Sequence, residues 1–71
     1  MAIPGMMDPE SMLAYARDWL DDANERWDIG HRSQAHESLR EAAGIYVKLP
    51  PGYKDEEFEQ YYQQTAKKLY P

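Results

Sequence analysis

Cysteine is absent from the 71-residue chain, which excludes a disulfide framework and a thiolate metal site and leaves burial and helix design to hold any fold. Basic residues are also scarce: eight Lys and Arg face thirteen Asp and Glu, for a net charge of −5. A nucleic-acid binder needs clustered lysine and arginine to displace counterions from phosphates. Here the eight bases are scattered, so neither nucleic acid nor an anionic membrane is expected as a partner, and a basic protein surface is. No apolar run approaches the ~20 residues that span a bilayer. The opening Met1-Ala2-Ile3-Pro4-Gly5-Met6-Met7 has no basic n-region and is interrupted by Pro4-Gly5, so it does not read as a secretory signal. The expectation is a cytoplasmic protein with a flexible tail at 1–7 and one domain at 8–71, close to the smallest size at which a core supports itself.

Helix signals are what the chain does have. Asp8-Pro9-Glu10 supplies an N-cap acceptor, a proline whose φ already suits a helix, and a carboxylate at the positive dipole end. Met12, Ala16, Trp19, Leu20, Ala23 and Trp27 then recur on a 3.6-residue period, and Gly30 follows as a left-handed cap. A second stripe, Ala35, Leu39, Ala42, Tyr46 and Leu49, runs until Pro50-Pro51 stops it. Gly44 inside this segment reads either as a tolerated cost or as a close helix–helix approach. Asp55, Glu56 and Glu57 open a third segment and Lys67-Lys68 end it, complementing the macrodipole, with Phe58, Tyr62, Thr65, Ala66 and Leu69 on one face.

Short amphipathic helices are unstable alone, and three single stripes hide from water only against each other. The spacing therefore predicts an all-α fold, a small antiparallel three-helix bundle with helices at about 9–29, 32–49 and 55–70. The expected core is the three stripes together, with both tryptophans inside it, so that Trp19→Ala is expected to cost ~3–5 kcal/mol.

Residues 16–49 resemble a single tetratricopeptide-repeat hairpin, a unit of about 34 residues. Trp19 matches the early aromatic of that motif, Ala23 its small residue, Gly30 its turn, and Ala35, Leu39 and Ala42 the second-helix pattern. Asp22 and Arg26 stand where leucine and tyrosine are usual, and Pro50 falls three residues late. The resemblance implies a scaffold that binds protein segments. The three-helix layout is also similar to that of the microtubule-interacting-and-transport domain, as an analogy of shape.

Sites for chemistry are not evident. His31 and His36 are five residues apart, whereas helical metal pairs favour three or four; they are expected at a helix start and facing solvent. The serines lack a nucleophile-elbow context and there is no glycine-rich phosphate loop. No catalytic residue, cofactor or metal is expected, and the chain reads as a non-enzyme. Asp18, Asp22 and Glu25 share one helical face, and Tyr61 is expected among the part-exposed tyrosines with Tyr15, Tyr53 and Tyr70. Tyrosine at a surface offers contact area at little entropic cost. The functional expectation is a protein–protein interaction module in which those three acids steer a basic partner and Tyr61 anchors it. Two alternatives are a small acidic regulator or inhibitor that occupies a basic, nucleic-acid-binding site on a larger protein, and a self-associating subunit.

Overall fold

Three helices, α1 (Pro9–Asp28), α2 (Arg32–Tyr46) and α3 (Glu56–Leu69), and one 3₁₀ turn at Pro51–Tyr53 make up the computed structural model. It describes residues 8–71, and the expected tail at 1–7 lies outside the described residues. The fold class read from the periodicity is the one observed.

Local chemistry sets the helix ends. Asp8 accepts the Ser11 amide at 2.8 Å ahead of Pro9, and Asp55 accepts the Phe58 amide at 2.8 Å ahead of α3. The Asp8 carboxyl is held below its ordinary value by its hydrogen bonds with Ser11. Gly30, at φ 93°, closes α1: its amide donates to Trp27 O at 3.1 Å, and the His31 amide donates to Arg26 O at 2.8 Å. That pair of bonds is a Schellman cap, which needs the left-handed residue that glycine supplies. The second helix ends at Tyr46, three residues before the expected boundary. Lys48 donates back to Ile45 O at 3.0 Å, an i→i−3 bond that tightens the last turn, and Pro50 disfavours helical backbone at Leu49.

Gly44 is not a packing glycine. It is exposed, and a methyl group there would meet nothing within 4 Å. Gly44→Ala is therefore expected to stabilise the domain by ~1 kcal/mol, the helix-propensity difference alone, raising the melting temperature by a few degrees. An unchanged or lower transition in a thermal melt would contradict this.

The hairpin closes on alanines instead. Ala16, Ala23, Ala35 and Ala42 are fully buried, and Leu20, Leu39 and Leu49 fill the space beside them. Phe58 and Leu69 of α3 complete this core, and Phe58 is its largest fully buried side chain. Met12, Trp19, Trp27, Tyr46, Tyr62 and Ala66, expected inside, pack against the core only part-buried. A domain this small has too little interior to enclose two indoles. Two polar residues are buried as well, Ser38 and Thr65, each on a helix face turned toward α1.

The third helix runs parallel to α1 and antiparallel to α2. Arg17 pairs with Glu57 at 3.1 Å, Tyr61 donates to Asp21, Asn24 donates to Thr65 at 2.9 Å, and Lys68 pairs with Asp28 at 2.8 Å. Partners in this polar ladder stand 40 or 41 residues apart along the chain. At the end of the bundle His36 lies between Trp27 (5.6 Å, 25°) and Tyr70 (4.6 Å, 18°), its Nε2–H donating to Leu69 O at 3.0 Å. The solvent-facing position expected for His36 is thus corrected; it clasps the end of α3 to the hairpin. The body measures 34 × 28 × 14 Å over its Cα atoms. The short dimension is the depth of two helix layers, one formed by the hairpin and one by α3.

Candidate partner-binding surface

Because α3 covers one side of the hairpin, the α1–α2 seam on the other side is open to solvent. An open groove of about 510 Å³ runs along it, lined by Trp19, Asp22, Arg26, Ser38, Glu37 and Glu41 among others. Trp19 supplies its apolar surface. One turn earlier on α1 stands Tyr15, 51% exposed, its ring 6.5 Å from the indole and tilted at 56°.

Helical geometry separates the four residues singled out in the sequence. At 100° per residue, Asp22 turns toward α2 and Asp21 toward α3, while Asp18 and Glu25 project between them on the outer face. The contacts agree. Asp22 accepts from Ser38 Oγ at 2.5 Å and from Arg26 Nε at 2.7 Å, and Arg26 donates onward to Gln34 at 2.6 Å. The Ser38 hydrogen bond, helped by Arg26 and opposed by burial, holds the Asp22 carboxyl below its ordinary value. Its stabilisation is accordingly present above the usual aspartate range and lost as the pH falls through the lowered value. Asp18 and Glu25 are exposed and make no ion pair among the described residues. The structure therefore brings Asp22 into the groove and leaves Asp18 and Glu25 on its outer flank.

Tyr61 is placed elsewhere. It lies in the crevice between α1 and α3, among Arg17, Asp21, Glu57 and Gln64. Its hydroxyl donates to Asp21 and accepts from Asn24 Nδ2 at 3.4 Å. Burial, followed by the Asp21 bond, pushes the phenol up to about 12. Tyr61 is part-buried and does not share a face with Asp18 and Glu25. The exposed rings are Tyr15, Tyr53 and Tyr70. The residues that sequence reasoning overlooked are Ser38 and Glu41, whose spacing on α2 gives no hint of what they face on α1.

A second tyrosine is equally constrained. Tyr46 stacks on Tyr62 at 4.1 Å and 3°, Lys54 Nζ lies 4.4 Å from its ring centroid, and its hydroxyl donates to the Glu59 carboxylate. That hydrogen bond foremost, then burial, pushes its phenol up to about 12. Both phenols have folded values above the ordinary 10.0. Their contribution is complete below pH 10 and disappears as the pH rises through about 12. Alkaline unfolding is expected inside that window, as Tyr46 and Tyr61 ionise. Near-ultraviolet absorbance followed alongside circular dichroism checks this: a helix signal unchanged through about pH 12 would contradict it.

Among the described residues, no three histidine, aspartate or glutamate side chains converge as a metal site, and no helix is long and apolar enough to cross a membrane. Comparison with known protein families, curated proteins and solved structures finds no match for the chain.

Proposed function

We propose that this chain is a non-enzymatic interaction module that receives a basic segment of a partner protein along the open α1–α2 face. The observation that carries the reading is the groove itself. Part-buried Trp19 offers apolar contact there, and carboxylates stand on both walls, Asp22 on α1 and Glu37 and Glu41 on α2. Asp18 and Glu25 extend the negative field on the outer flank of α1, where rim charges steer encounter. Arg26 and Arg40 also line the groove. Arg26 and Asp22 neutralise each other as an ion pair, which leaves Glu37 and Glu41 against Arg40, so the acids retain the excess. Tyr61, with its hydroxyl committed to Asp21, gives way as anchor to the rings of Tyr15 and Trp19.

The test is a titration of the labelled chain with a short amidated helical peptide that carries lysines on one face and one central arginine, followed by NMR. Resonances of Trp19, Ser38 and Glu41 are expected to move. The combined variant Asp18→Lys, Glu25→Lys and Glu41→Lys is expected to weaken binding roughly tenfold or more at low salt. Shifts confined to the outer face of α3, or an affinity indifferent to the three reversals, would overturn the reading.

A further inference from the structure

The domain uses one kind of contact repeatedly. Arg32 lies over the Trp27 ring at 4.3 Å, and Lys54 lies over Tyr46 at 4.4 Å. In each case a cation covers an aromatic face at the edge of the core. Among the described residues, Tyr15 and Trp19 have no such cover, although they form an aromatic pair on the same helix. Their rings meet tilted at 56° with centroids 6.5 Å apart, Tyr15 half-exposed and Trp19 at the groove.

We infer that the Tyr15–Trp19 pair beside the groove is the seat for an arginine side chain of the partner, an inference that rests on the proposed use of the α1–α2 face. Three features select this occupant. The two rings present π faces, which attract a cation through their quadrupoles. Carboxylates stand near both rings: Asp18 three residues after Tyr15 and Glu41 across the groove from Trp19, whereas Asp22, three residues after Trp19, already holds Ser38 and Arg26. An exposed ring with a carboxylate nearby suits a flat group that stacks on the ring and turns its edge to the acid. A guanidinium does both at once, through its planar face and its forked N–H donors, whereas an ammonium on a lysine is a hydrated point charge without the fork. A methylated ammonium needs walls on more sides than two rings provide. Anionic groups are disfavoured by the same acids and by the net charge of −5.

The experiment uses the full chain with fluorotryptophan at both indoles, titrated with three versions of the helical peptide that differ only at the central residue: arginine, lysine, or citrulline, the uncharged shape analogue of arginine. The arginine peptide is expected to move the fluorine resonance of Trp19 and leave that of Trp27 in place. Citrulline is expected to weaken binding by about 3- to 30-fold, with lysine between. Tyr15→Leu, a substitution at an exposed position, is expected to remove most of the preference for arginine over citrulline while leaving the circular dichroism unchanged. Equal affinities for arginine and citrulline, with Ser38 and Glu41 still perturbed, would overturn the arginine seat and leave the proposed binding face standing. Peptides that move neither Trp19 nor its groove, even at millimolar concentration, would overturn both.

Discussion

Phe58→Ala is expected to leave the chain largely unfolded at room temperature. The ring is fully buried, is the largest side chain so placed, and sits 6.0 Å from Tyr46 where α3 meets the hairpin. Truncating a buried aromatic costs ~3–5 kcal/mol, part from lost transfer energy and part from the cavity left behind. A domain of this size, with no disulfide to brace it, has roughly that much in total. Far-ultraviolet circular dichroism should show most of the helix signal lost. A cooperative melt within a few degrees of the parent would refute the assignment of Phe58 as keystone. The periodicity gave that place to Trp19. Trp19, however, is part-buried beside the open groove, so its truncation removes less enclosed surface and creates less of a sealed void. Trp19→Ala is expected to cost less than Phe58→Ala.

That reversal shows where sequence reasoning reaches and where it stops. Caps and breaks act within a few residues, so Asp8-Pro9, Gly30 and Asp55 place their helix ends to within a residue, whereas Pro50-Pro51 places the end of α2 only to within three. Stripe periodicity identifies which side of each helix is buried, and it found Ala16, Leu20, Leu39 and Phe58. It does not rank depth across a stripe, because depth depends on which neighbour covers each edge. Trp19 and Leu20 sit side by side on the stripe; α3 packs near one and leaves the other at the groove. The same ignorance of neighbours misplaced His36 and hid the partner of Tyr61. Each has a polar atom whose partner lies some thirty to forty residues away, Leu69 O for the one and Asp21 for the other. No local pattern announces such a pair, since it exists only once the helix register is known. With the register in hand, the acids of α1 beyond its first turn divide into three kinds: Asp21 and Asp28 bind α3, Asp22 binds α2, and Asp18 and Glu25 remain for solvent or a partner.

The α1–α3 ladder makes a second large effect calculable in kind. Asn24 is its hub. The carboxamide NH2 donates to Leu20 O and Thr65 Oγ1, both at 2.9 Å, and to Tyr61 at 3.4 Å, while its oxygen accepts from Lys68 at 3.2 Å. Thr65 is only 1% exposed, so Asn24→Ala strands its hydroxyl where water has no access. A stranded buried polar group costs ~1–3 kcal/mol beyond the net value of the bonds themselves, and a total of about 2–3 kcal/mol is expected. Tyr61→Phe is the informative contrast. It deletes a hydroxyl, but the Asp21 carboxylate it leaves behind is exposed and regains water, which limits the loss to ~1 kcal/mol or less. Hydrogen exchange should locate the damage from Asn24→Ala in the amides of α3 more than in those of the hairpin, whose alanine-lined seam does not depend on this residue. Equal costs for the two substitutions would mean that α3 is held by its apolar contacts alone. A larger cost for Asn24→Ala would instead show that polar matching fixes α3 in parallel register with α1, and so decides which face of the hairpin is covered and which stays open for a partner.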